Sequence, residues 1–172
     1  MLVGESGTHI AMDRLKARAP KGQRAYGKVP RNRGKNLTLI ASMSLDGMGE
    51  AMVVEGATDA EVFETYIEHF LPPTLKEGQV VLLDNLKAHK SKKIRELIEA
   101  RGAGVLFLPS YSPDLNPIEE AFSKIKTILR KVGARTREAL IEARAEALSA
   151  ITPVDAAGWF AHCGYEVEVQ YL

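Results

Sequence analysis

Val80–Asp84, VVLLD, and Ser112–Glu120, SPDLNPIEE, decide the fold of this chain. Four apolar residues without alternation mark a short strand buried on both faces. Asp84 stands just beyond them, at the carboxyl end of the strand, where open α/β sheets place their sites. Val105–Leu108 is a second such run, ended by Pro109. Between the two, Ser91 opens a short helix with Ile94, Leu97 and Ile98 inward and Gly102 as its stop. Strand, helix and strand predict a parallel βαβ unit. Asn116-Pro117 then starts a long helix, with proline at its tolerated first position. Ile118, Phe122, Ile125, Leu129 and Val132 form its apolar stripe, and Gly133 closes it.

Toward the N-terminus, Met1–Val3 reads as the end of a strand that turns at Gly4 and Gly7. Residues 11–36 are basic, with Gly and Pro scattered through them, and read as a long loop or ragged hairpin. Leu37–Leu45 and Met48–Val54 are strand-like, joined by the hairpin signal Asp46-Gly47. Thr58 caps the next helix, with Glu61 at the capping-box position; Val62, Phe63, Tyr66, Ile67 and Phe70 keep helical spacing up to Pro72-Pro73. Toward the C-terminus, Thr136 starts a helix to about Ala150. The tail, with Trp159, Phe160, Tyr165 and Tyr171, reads as a short helix and an extended end. The whole is an α/β domain with a mixed sheet.

The 172 residues fit one domain, and 45% hydrophobic with 26% charged residues gives both a core and a soluble surface. The net charge of +1 says nothing of partners, but its distribution does. Arg14, Lys16, Arg18, Lys21, Arg24, Lys28, Arg31, Arg33 and Lys35 face the single acid Asp13. Further clusters run Lys87–Arg95 and Lys124, Lys126, Arg130, Lys131, Arg135, Arg137. Such clusters either neutralise phosphates or are solvated faces. One cysteine, Cys163, leaves no disulfide framework and no cysteine zinc site, which suits a reducing cytosol. No apolar run approaches the roughly 18 residues of a membrane span, and MLVGES is no signal peptide.

The chemistry lies in carboxylates. Asp84 and Glu119 have 34 residues between them. One ends a buried strand and the other opens a helix, which is what a two-metal phosphoryl-transfer site needs. Each also has a plainer reading. Asp84-Asn85 favours a turn. Asn116 with Glu119 forms a capping-box pattern that by itself accounts for Glu119, and Glu120 is explained in the same way. His89 could contact a phosphate or a water, although a histidine among lysines is more often a surface loop residue. Asp114 and Asp46 read as turn residues. No Walker loop, GxGxxG, GxSxG or HExxH is present, and the four histidines are scattered.

LLDNLKAHKS (82–91) and LFLPSYSPDLNPIEEAFSKIK (106–126) resemble the catalytic core of DDE transposases. More narrowly they resemble the bacterial insertion-sequence branch of the mariner superfamily, which shares the 34-residue spacing. GESGTHIAMDRLKARAPKGQRAYGKVP (4–30) resembles that family's segment after the first strand. The resemblance covers essentially the whole chain. It implies an RNase H-like fold, a five-stranded mixed sheet flanked by helices. It implies cut-and-paste DNA transposition with two Mg²⁺ ions, Mn²⁺ substituting, held by three carboxylates. Asp84 is then the second acid and Glu119 the third, with Asn85, His89 and Asn116 in secondary places. The basic segment and the flank of the long helix (Lys124, Lys126) would hold DNA phosphates without specifying sequence.

Two departures follow. The family pattern begins Asp-Glu-Ser-Gly, and here Gly4 replaces the Asp. Glu5 is a poor substitute, because strand neighbours point to opposite faces. The family also carries an N-terminal helix-turn-helix region, and this chain starts at the catalytic domain. The expectation is therefore one domain, 1–172, of a cytoplasmic, nucleoid-associated prokaryotic protein, truncated and impaired. Its partners would be DNA ends and target, and itself or an intact transposase copy. The rivals are a non-catalytic DNA-binding remnant, which Gly4 favours, and a host-adopted nuclease of the same fold.

Overall fold

The computed structural model describes residues 1–167; Tyr171 and the end of the expected extended tail lie outside them. The elements run β1 (Leu2–Thr8), β2 (Leu37–Ser44), β3 (Gly47–Glu55), α1 (Ala60–His69), β4 (Val80–Leu83), α2 (Lys92–Glu99), β5 (Gly104–Phe107), α3 (Pro117–Val132), α4 (Arg137–Ser149) and α5 (Pro153–His162). The sheet has five strands in the order β3-β2-β1-β4-β5. β1, β2 and β3 form an antiparallel meander, whereas β4 and β5 run parallel to β1. This is the expected mixed sheet and βαβ unit.

Two apolar layers cover it. Leu2, Leu39, Met43 and Leu82 pack with Ile118, Phe122, Ile125 and Leu129 of α3 and with α4 and α5. Val3, Ile40, Val81 and Leu83 pack with Phe63, Tyr66 and Ile67 of α1 and with Ile94 and Ile98 of α2. The period-2 alternation of β1 and β2 divides their side chains between the layers. Each side chain fully withdrawn from water contributes about 1.5–3 kcal/mol.

Several local expectations need correction. β1 does not turn at Gly4; it continues to Thr8, because all of Leu2–Thr8 pairs with Met43–Leu37 of β2. The β2–β3 turn is Leu45-Asp46, one residue earlier than the Asp46-Gly47 signal, and Gly47 takes up the positive φ of 107°. Asp59, not Thr58, caps α1, accepting from the Val62 N–H at 2.9 Å. β5 is not buried on both faces. It is an edge strand, and Leu106 is 56% exposed. At the end of the α3 stripe, Val132 is exposed. Ser91, Thr136 and Gly133 cap their helices as expected.

Residues 9–36 form the expected loop rather than a hairpin, with its basic side chains in solvent. Its base is fixed. Thr8 pairs with Leu37, and the buried Arg144 of α4 donates to both the Thr8 hydroxyl and the Leu37 carbonyl, the latter at 2.7 Å. No helix is long and apolar enough to cross a membrane among the described residues.

Candidate active site

β1 and β4 part company at the carboxyl end of β4. They pair only at Leu2–Leu82 and Val3–Leu83, after which β4 stops and β1 continues beside β2. The next residues beyond that pairing are Gly4 on β1 and Asp84 after β4. The crevice opening there is the switch-point position of an open sheet. A cleft of about 340 Å³ lies at this end, lined among others by Asp84, Asn85, Tyr111, Asn116 and Glu119. The two carboxylates far apart in sequence therefore share one cleft, and Asn85 and Asn116 share it with them.

Asp84 is held on two sides. Its Oδ1 lies 2.5 Å from His89 Nδ1 and accepts from the Leu86 N–H at 3.1 Å. Burial pushes its pKa up. The His89 ring beside it and the Leu86 N–H outweigh that and leave it below its ordinary value. His89 is not the surface residue that its lysine neighbours suggested. It is fully buried and stacks on Phe63, ring centroids 3.7 Å apart. The sequence signal for it was only its place five residues after Asp84; the ring that covers it comes from α1.

Glu119 differs from the capping-box reading. Asn116 occupies the N-cap position, but its side chain caps nothing, and its buried Oδ1 has no hydrogen-bond partner among the described residues. Only the Asn116 carbonyl meets the Glu119 N–H, at 3.0 Å. The Glu119 carboxylate is thus spare, and it opens on the cleft. Burial, which strips water from the carboxylate, raises its pKa, Lys126 opposes this, and Asp84 adds to it.

On the β1 side there is only backbone. A Cβ built on Gly4 would lie 3.0 Å from Ile118 Cγ2 and 3.2 Å from Phe122 Cε2, so this position faces α3, the helix that carries Glu119. Glu5, the next residue, turns to the opposite face, and its Oε2 is buried without a hydrogen-bond partner. Among the described residues no three Asp, Glu, His or Cys side chains converge to hold a metal ion. Two hard carboxylates in an open cleft suit one water-rich divalent cation. A pair of ions would have a single carboxylate each, too little to anchor both.

The basic residues divide. Lys35 pairs with Glu55, and Lys124 donates to Asp155 at 2.7 Å and lies over Trp159. Arg14, Lys16, Arg130 and Lys131 converge instead on a groove beside the loop, joined by Leu15 and Thr127. Lys126 faces a neighbouring depression with His9 and Arg130.

Known proteins bear on this geometry. A family model described as DDE superfamily endonuclease matches residues 2–141. The Tcb2 transposase of the transposable element from Caenorhabditis briggsae is 34% identical over 85 residues, 47% of this chain and 31% of that protein. The Mos1 transposase paired-end complex with left transposon end superposes with a TM-score of 0.71 at 19% identity, covering 94% of this chain and 50% of that one. The mariner Mos1 paired-end complex with Mg gives a TM-score of 0.71 at 18% identity, with 94% and 52% covered. These likenesses show the fold, the RNase H-like sheet of the Mos1 catalytic domain. The match spans about a third of the Tcb2 protein and half of the Mos1 chains.

Proposed function

The chain belongs to the DDE superfamily endonuclease family, and from that premise we propose that it is a transposase catalytic domain whose metal site has lost one ligand. The observation that carries this reading is the shared cleft of Asp84 and Glu119, with Gly4 beside Asp84. Asp84 and Glu119 would hold Mg²⁺ or Mn²⁺, as the Mg complex of Mos1 suggests by analogy. Such an ion, when bound, polarises the phosphate and lowers the pKa of an attacking water or hydroxyl. His89 and the Leu86 N–H keep Asp84 ionised and aimed. Arg14, Lys16, Arg130 and Lys131 hold backbone phosphates of DNA, which gives affinity without sequence choice.

With Gly4 in place, the second ion lacks an anchor and strand cleavage falls toward background. The bacterial insertion-sequence branch, action at transposon ends, and assembly with itself or an intact copy belong to the same proposal. A second reading, a DNA-binding remnant without catalysis, is favoured by Gly4 alone. Nicking of supercoiled plasmid in Mn²⁺ separates them. We expect Gly4→Asp to nick, the unmodified chain to be near silent, and Asp84→Ala to abolish the gain. Silence from Gly4→Asp as well, with salt-sensitive DNA binding retained, selects the remnant. Nicking by the unmodified chain that is lost on Asp84→Ala would show that another group completes the site.

A further inference from the structure

Tyr111 sits on the lip of the cleft that holds Asp84 and Glu119, and two features set it apart. Its side chain is wholly in solvent, at 102% of the reference exposure. Its φ is +59°, the single positive value at a non-glycine position among the described residues. A large side chain in the left-handed region costs free energy, and such strain persists only where its surroundings enforce it. Here they do. Leu108 N–H bonds the Leu83 carbonyl at 2.8 Å, and Asn85 Nδ2 donates to Ser110 Oγ at 2.7 Å. Pro109 and Pro113 stiffen the chain on both sides. The loop is thereby tied to β4 next to Asp84, and it holds an aromatic ring out into water against both strain and the hydrophobic effect.

We infer that Tyr111 is a stacking platform for an unpaired nucleobase of DNA next to the phosphate in the cleft. The inference rests on the DNA-processing reading above. A ring with both faces free offers π-stacking, which any base accepts. In a duplex the bases bury their faces against each other, so an unstacked base at an end, overhang or opened step is the one that fits.

The test uses the full chain without divalent metal, so that no strand is cut. The probe is a short DNA duplex with a single-stranded overhang carrying 2-aminopurine, whose fluorescence falls on stacking. Tyr111→Gly relieves the backbone strain and should melt at the same or a higher temperature. It should nevertheless bind the overhang about five- to a hundredfold more weakly and lose the quench. Tyr111→Phe should keep both. A merely structural role predicts the reverse, since a glycine that relaxes the loop would not cost binding. Equal binding and quench by Tyr111→Gly would overturn the platform and leave the DNA reading intact. Failure of Tyr111→Phe to match the unmodified chain would also overturn it, by assigning the effect to the hydroxyl. No binding of any DNA by the unmodified chain would remove the DNA reading itself, and the platform with it.

Discussion

β1 and β4 lie side by side in parallel register, yet they differ at the point where their pairing stops. The end of β4 is furnished: Asp84 is gripped by a buried histidine and a backbone N–H, and the histidine is backed by Phe63. β1 at Gly4 is bare, and Ile118 and Phe122 close against the backbone. The sheet, the helices and the cleft are the same for both. The core packing that shapes the cleft thus needs no side chain at Gly4, and Ile118 and Phe122 fill the space one would take.

The sharpest way to break this contrast is to furnish the bare end. Gly4→Asp should raise Mn²⁺-dependent plasmid nicking by at least about a hundredfold, since even the outer partners of metal ligands are worth 10–100-fold. The furnished end can be stripped instead. Phe63→Ala removes the ring under His89 from a fully buried position and should cost about 3–5 kcal/mol in urea unfolding. A loss below 1 kcal/mol would mean that the α1 layer gives no support to that end. The bare end is tight, and two glycines measure how tight. Gly4→Ala meets Ile118 and Phe122 and should cost about 1–3 kcal/mol. Gly104→Ala, also in a strand, meets only Val80 Cγ2 at 3.9 Å and should be neutral or stabilising by about 0.5 kcal/mol. If the two glycines behave alike, α3 does not press on β1.

The smallest effect comes through the clamp between α3 and α5. Hydrogen bonds from Lys124 and from Thr152 hold the Asp155 pKa down to about 2, from an ordinary value of 3.8. A depressed carboxylate contributes stability that is complete above its unfolded pKa and vanishes as pH falls through its folded one. The melting temperature should therefore lose this contribution between about pH 4 and pH 2, and Asp155→Asn should flatten that part of the profile. An unchanged slope in the variant would show that the clamp does not report on α3.

The elements that the sequence announces are those with local causes. VVLL, the Ser91 and Thr136 caps and the Gly133 stop were legible because periodicity and capping are short-range. Asp84 and Glu119 were legible as a pair only through spacing and resemblance. What stayed hidden depends on distant partners. The burial of His89 is made by Phe63 of α1, and the idleness of the Asn116 cap by the cleft around it. The exposure of β5 follows from its place at the sheet edge, which an apolar run cannot reveal. The extent of β1 was missed because glycines suggest turns, whereas pairing with β2 overrides that preference.

The bond from Arg144 to Thr8 and Leu37 has a consequence for how this molecule can be varied. It ties the two ends of residues 9–36 to each other at the sheet, while Met12 in the core and the Arg135 hydrogen bonds to the Ile10 and Met12 carbonyls hold the first part of the loop. Lengthening such a loop is cheap, about 0.6 kcal/mol for each doubling. Insertions, deletions or an exchange of basic residues beyond Asp13 should leave the carboxylate cleft in register. The loop's share of the basic groove, Arg14 and Lys16, can thus vary while Arg130 and Lys131 stay on α3, the helix that carries Glu119.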